Sequence, residues 1–152
     1  MGWNMKRYGG IFFGVALILM WGAAVVPADA GVFHIDVQVI LASNSDEGFD
    51  PRLLALKKDL LALNYISFQL LDSQGLAVER GETGRLQVPG GRVMEVTPER
   101  FSKGKILLRV RINQGESSIL TTRLRIEDHG TVILGGPPYR HGFLVLAVTA
   151  NR

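Results

Sequence analysis

The stretch Lys105–Ile126, KILLRVRINQGESSILTTRLRI, reads as two long antiparallel strands joined by a tight turn at Gln114-Gly115-Glu116. Strand side chains alternate between the two faces of a sheet. Ile106, Leu108, Val110 and Ile112 therefore share one face, and Leu107, Arg109, Arg111 and Asn113 the other. In the second strand Leu120, Thr122, Leu124 and Ile126 form the mostly apolar set, and Ile119, Thr121, Arg123 and Arg125 the mostly polar one. Both strands must turn their apolar sets to the same side, because a one-residue slip would bury the arginines. That requirement predicts an odd loop of three residues with Gly115 at positive φ. The pairs it predicts are Asn113 with Ser117, Val110 with Leu120 and Leu108 with Thr122.

This register gathers Arg109, Arg111, Arg123 and Arg125 on one outer face, with Leu107 and Ile119 among them. Such a face suits an acidic protein, a phosphate-bearing polymer or an anionic membrane surface. A purely solvated antiparallel sheet has the same appearance. Nucleic acid is not expected, since no aromatic residue interleaves the arginines as a stacking platform.

Outward from the hairpin the chain stays rich in strand signals. Val32–Ala42 alternates, with Phe33, Ile35, Val37 and Val39 opposite His34, Asp36 and Gln38. Tyr65–Asp72 is the next strand, ended by a turn signal at Asp72-Ser73-Gln74-Gly75. Leu76–Arg80, Arg85–Val88, Val93–Thr97 and Thr131–Leu134 are short strands between glycine- and proline-containing turns. Phe143–Thr149, FLVLAVT, is nearly continuous in apolar residues and belongs in a central, buried position. The expected fold is mainly β: an antiparallel β-sandwich of about eight strands and immunoglobulin-like size. The hallmark cysteines and core tryptophan of immunoglobulins are missing, so only the architecture is implied.

One packed amphipathic α-helix near the mature N-terminus completes the architecture, over residues 51–63. Asp50 is its N-cap and Pro51 its first residue, where the missing N–H costs nothing. Leu53, Leu56, Leu60 and Leu63 recur at helical spacing, widened by Leu54 and Leu61, while Arg52, Lys57, Lys58 and Asp59 cluster away from them. Asn64 suits the C-terminal end.

The first thirty residues set the expected compartment. Lys6 and Arg7 precede an uncharged run, Ile11–Val26, and then Pro27-Ala28-Asp29-Ala30 with small residues where a signal peptidase reads. This is the pattern of a secretory signal cleaved after Ala30; the apolar run is short for a membrane span of about 20 residues. No cysteine follows it, which excludes a lipid-anchored lipoprotein. The mature chain, residues 31–152, suits one domain. Cysteine is absent throughout, so stability must come from packing and thiol chemistry is ruled out. Lys6, Arg7 and Asp29 leave with the signal, so the net charge of +3 becomes +2, and only a local basic patch is arguable.

The sequence presents no catalytic or metal-binding constellation. His34, His129 and His141 are far apart and form no zinc pair. Asn44, Asp46, Glu47 and Asp50 do not match the EF-hand spacing. No serine sits in a G-x-S-x-G elbow, and the double glycine at 135–136 lacks the Lys-Ser/Thr of a phosphate loop. The segment Gly135–Gly142 reads as a loop that offers Tyr139 and Arg140, residue types favoured as interface anchors.

Thr121–Gly136, TTRLRIEDHGTVILGG, resembles a stretch of bacterial secretins, the outer-membrane secretion channels, in which a strand, an acidic-glycine turn and a valine/isoleucine strand lead to Gly-Gly. The resemblance departs at Pro137-Pro138 and implies a shared envelope setting. These readings together point to an exported, non-catalytic binding or adaptor protein of the bacterial envelope, without cofactor or metal. Its expected partner is another envelope or secretion-machinery protein. Contact would run through the arginine face, the Gly135–Gly142 loop or an edge strand open to strand addition. The alternative is a periplasmic carrier of a small or polymeric anionic ligand. The membrane enters only through the transient signal.

Overall fold

The computed structural model describes residues 31–152, so the signal segment 1–30 and its cleavage lie outside the described residues. Two sheets face each other. The first has the order β2-β3-β1-β9-β8 and the second β4-β5-β6-β7. The first sheet contains β1 (Val32–Ser43), β2 (Gly48–Phe49), β3 (Ser67–Glu79), β8 (Gly130–Tyr139) and β9 (Gly142–Asn151). The second contains β4 (Gly84–Val88), β5 (Arg92–Ser102), β6 (Lys105–Gln114) and β7 (Ser117–Glu127). This is the expected sandwich, and the nine strands among the described residues fit the expected number of about eight. Among the described residues no helix is long and apolar enough to cross a membrane.

The main core lies between the sheets. Phe33, Ile35, Val37 and Val39 of β1 and Leu144, Leu146, Val148 and Ala150 of β9 meet Met94 and Val96 of β5 and Ile106, Leu108, Val110 and Ile112 of β6. β9 lies between β1 and β8, the central place its continuous apolar run demands. That run is continuous because both faces of the first sheet are covered. Val145 and Ala147 of β9, with Ile40 and Ala42 of β1 and Phe68 of β3, form a second cluster on the outer face. The same fact explains why alternation blurs at Ile40 and Leu41.

The covering element is helical but tighter than a plain α-helix. Pro51–Leu56 is a 3₁₀ segment and Lys57–Leu61 a single α-turn, α1. In a 3₁₀ turn residues three apart eclipse, which places Leu53 and Leu56 together; Leu60 and Leu63 follow on the same side. Leu54 and Leu61 fall off that stripe and are 61% and 56% exposed, so they do not widen the buried face.

One expected turn is absent and one expected loop is shortened to a turn. Asp72-Ser73-Gln74-Gly75 continues β3 without a break, paired to Asp36–Val39 of β1. Its polar residues satisfy one another: Asp72 accepts from the Ser73 N–H and from Gln74 Nε2, which also donates to the Gln87 carbonyl. Gly135–Tyr139 is likewise strand, broken only by a bulge between Gly135 and Pro138. The turn itself is confined to the Arg140-His141 pair, with Arg140 at φ 50. Gly142 sits where a Cβ would strike the Ala42 carbonyl of β1, so no larger residue fits between β9 and β1 there.

Asp50 joins the helical cover to the sheet. It caps the 3₁₀ segment by accepting from the Arg52 N–H at 3.0 Å. Its backbone N–H donates to the Phe68 carbonyl, extending the short parallel pairing of β2 with β3. Two residues further along β3, the Asp50 carboxylate takes the Leu70 N–H at 3.1 Å while the Arg52 guanidinium donates to the Leu70 carbonyl at 3.2 Å. Two side chains thus act as a further rung on the edge of β3, which would otherwise be open to pairing. Hydrogen bonds from the Arg52 side chain and backbone, joined by Leu70, hold the Asp50 carboxyl well below the usual carboxylate range. Its pKa in the folded protein is depressed below the ordinary 3.8, so its stabilisation is full above that value and fades as pH falls through the folded value. Asp50→Asn is expected to lower Tm near neutral pH, with the gap to the wild type narrowing steadily in acid, as checked by circular dichroism melts across the acid range.

Candidate functional site: the outer face of the second sheet

Among the described residues nothing covers the outer side of the second sheet, and the arginines lie there. The central hairpin keeps the predicted sidedness, but its pairing differs. The turn is the two-residue Gly115-Glu116, with Gly115 at φ 59, where a II′-type turn takes glycine. A bulge beside Ile112 and Asn113 then shifts the register, so that Ile112 faces Leu120, Val110 faces Thr122 and Leu108 faces Leu124. The turn and bulge together restore the parity that a three-residue loop would supply. Ile119 is the extra residue. It lies not among the arginines but at the sheet edge, with Leu120, Gly135 and Gly136.

Rows of side chains run across the outer face. Arg85, Glu95, Arg111 and Thr121 occupy successive partner positions on β4, β5, β6 and β7. Thr97, Arg109 and Arg123 form the next row, with Thr83 reaching the Thr97 hydroxyl at 2.7 Å. Arg100, Leu107 and Arg125 form the third, and Ser102, Lys105 and Glu127 the last.

Arg109 and Arg123 stand directly opposite each other. Like charges in that position repel. Relief comes from Glu99, which the register shift between Pro98 and Arg100 inserts as an extra residue of β5. Arg123 Nε donates to Glu99 Oε2 at 3.0 Å, and Arg109 Nε lies 3.2 Å from Oε1. Glu99 is about a fifth exposed, the arginines much more. Arg85 pairs with Glu95 at 3.4 Å. Arg111 and Arg125 make no ion pair with a described carboxylate. The four predicted arginines thus share one face, but two of them are clamped by a carboxylate.

Tyr139 and Arg140 are elsewhere. Tyr139 packs against the main core, and Arg140 stacks on its ring, 5.0 Å from the centroid, at the β8–β9 turn. That Tyr139 is part of the packing lowers its availability as an anchor. Beside β8, Arg92 crosses between the sheets to donate to the Pro138 carbonyl at 3.2 Å and to Pro89 at 3.1 Å, leaving its Nε buried without a partner. It lines a groove of about 340 Å³ with Ile119, Leu120 and Gly135 to Pro138.

A second groove, of about 320 Å³, opens at the β5–β6 end of the basic face. Arg100, Lys103, Lys105 and Arg125 line it with Ser102 and Leu107. Arg100 and Lys103 lie outside the central hairpin and Lys105 is its first residue, so a reading of the hairpin's arginines alone misses them; the signal for the two lysines is the turn Ser102-Lys103-Gly104-Lys105. Among the described residues no group of His, Asp and Glu side chains is arranged to hold a metal ion.

A two-sheet sandwich with one basic, uncovered sheet face is the class these observations define. No family model matches the chain, and no match was found among curated proteins. Among solved structures it is similar to the T2SS secretin XcpQ from Pseudomonas aeruginosa, seen by cryo-electron microscopy. The identity is 11%, the TM-score 0.33, and the match covers 78% of this chain and 52% of that one, about half its length. A likeness of that size carries no argument about activity or partners.

Removing the Glu99 carboxylate leaves two opposed guanidiniums without relief. Glu99→Gln is expected to cost about 1 kcal/mol in urea unfolding at low salt, a loss that shrinks as salt screens the repulsion. An unchanged unfolding midpoint at low salt counts against the clamp.

Proposed function

We propose that this protein is a non-catalytic binding protein of the bacterial envelope that holds an acidic surface of another envelope protein against the outer face of β4–β7. The observation that carries this reading is the basic face itself: arginines in rows on a rigid sheet, uncovered, while the corresponding face of the other sheet is sealed by the helical segment. Placement outside the inner membrane rests on the signal pattern of residues 1–30. Rigid charged faces gain specificity and association rate from electrostatic complementarity, and a sheet loses little freedom on binding.

The test separates face from fold. Arg111→Ser with Arg123→Ser removes two cations from the middle of the face and leaves Arg109 to neutralise Glu99. Crosslinking the mature protein in its native envelope fraction is expected to give one stoichiometric, acidic partner, weakened about tenfold by the double variant and by raised salt. The melting temperature of that variant is expected to stay near that of the wild type. A partner retained undiminished by it overturns the reading.

A further inference from the structure

We infer that the groove at the β5–β6 end is a binding site for a phosphomonoester group. It lies at one end of the protein-binding face proposed above and shares Arg100 and Arg125 with it, but the two readings are tested by different residue pairs, so either can fail alone.

Arg100 on β5 and Arg125 on β7 are both partner positions of Leu107 on β6, one on each side. Two guanidiniums therefore flank a half-buried leucine. Lys103 and Lys105 come from the adjoining turn, where Lys103 at φ 53 and Gly104 at φ 71 form the I′ type that matches strand twist. The turn is fixed from the neighbouring β7–β8 connection, whose Asp128 N–H donates to the Gly104 carbonyl at 2.9 Å. Elsewhere on the face Arg85 is matched to Glu95 and Arg109 and Arg123 to Glu99, and Arg111 has Glu95 as its partner position across the ladder. Here Arg100, Lys103, Lys105 and Arg125 make no ion pair with a described carboxylate, and none lines the groove. Glu127, the partner position of Lys105, is the nearest acid in register and pairs with none of them.

Converging cations in a concavity raise the local potential and concentrate anions. One guanidinium already satisfies a carboxylate through two parallel hydrogen bonds. Four cations call for more charge and more oxygens, which a phosphomonoester supplies: about −1.5 to −2 near neutral pH and three acceptor oxygens. The groove volume, about 320 Å³, is at the small end of the range for small-molecule sites. Leu107 offers an apolar surface to the organic part of the ester. Two sources share this chemistry, a soluble phosphate ester and a lipid whose headgroup ends in a phosphomonoester.

The mature protein, followed by backbone amide NMR, is titrated with glycerol phosphate at constant ionic strength. Saturable shifts are expected around Ser102–Lys105. Arg100→Ser with Arg125→Ser is expected to weaken binding about tenfold, whereas Arg111→Ser with Arg123→Ser changes it by less than about twofold. Lys103→Asn keeps a residue tolerant of positive φ and still weakens binding. Succinate is expected to bind about tenfold more weakly than glycerol phosphate. Vesicles of phosphatidylcholine with and without phosphatidic acid distinguish the sources: capture that Arg100→Ser with Arg125→Ser abolishes assigns a lipid headgroup, and titration without capture assigns a soluble ester. Non-saturating shifts, equal affinity for succinate, or equal weakening by both double variants overturns the site. Loss of the protein partner from Arg111→Ser with Arg123→Ser while phosphate binding persists supports both proposals; retention of the partner by that variant, with phosphate binding lost only in Arg100→Ser with Arg125→Ser, overturns the protein-binding one alone.

Discussion

The first sheet is apolar on both faces, and one opposing sheet covers only one of them. The rest of the architecture follows from that constraint. Leu144, Leu146 and Val148 of β9 point into the sandwich, while Val145 and Ala147 point outward and are equally buried. Fully burying an aliphatic side chain contributes about 1.5–3 kcal/mol, so an uncovered outer face would forfeit a sizeable part of a small domain's stability. The short helical segment seals it with Leu53 and Leu60, and Asp50 ties that segment to the strand beneath. With the cover used on that side, the outer face of the second sheet is left to solvent and must be polar. Its charged character is therefore a consequence of layer count before it is a feature of function.

Side-chain alternation made the sandwich, the central place of β9 and the sidedness of the β6–β7 hairpin legible in the sequence. Register was not legible, for one physical reason. A β-bulge adds a residue to one strand, and the alternation on either side of it still looks regular. Bulges beside Ile112, Pro98 and Gly135, and the shift between Val39 and Ile40 opposite β3, each moved the pairing from what a regular ladder implies. Strand length was misread where polar runs mimic turns. Asp72–Gly75 lies in β3 with most of its residues exposed, and satisfies its polar groups locally, so it needs no apolar pattern. The helix boundary at Asp50 was legible because capping is local chemistry; the 3₁₀ winding was not, because it is set by which leucines the sheet accepts.

The candidate site shows the same division. That Arg109, Arg111, Arg123 and Arg125 share a face follows from period two. Which of them is committed to a carboxylate depends on Glu99, and its place between Arg109 and Arg123 exists only because of the bulge in β5. The groove draws on β5, the following turn, β6 and β7, a juxtaposition that pairing creates and no single stretch announces. Tyr139 looked available because Gly135–Gly142 read as a loop; as strand, it packs on the core instead.

Charge distribution limits how this face can act. Residues 31–152 carry a net charge of only +2, so the molecule exerts little field at a distance. Screening confines the remainder to about 8 Å at physiological ionic strength. Attraction is therefore felt at contact, where pattern matters more than total. Along the rows, Glu95 is matched to Arg85 and Glu99 to Arg109 and Arg123; Arg111 makes no ion pair with a described carboxylate, and four more cations without one, Arg100, Lys103, Lys105 and Arg125, line the groove at the β5–β6 end. A uniformly basic sheet would take any polyanion. On the function proposed above, a face matched along part of its rows and bare at one end would favour a partner with its acids spaced to fit over one that is merely acidic. The β-hairpins hold that spacing without any ordering on binding, so the distinction is made by geometry already in place.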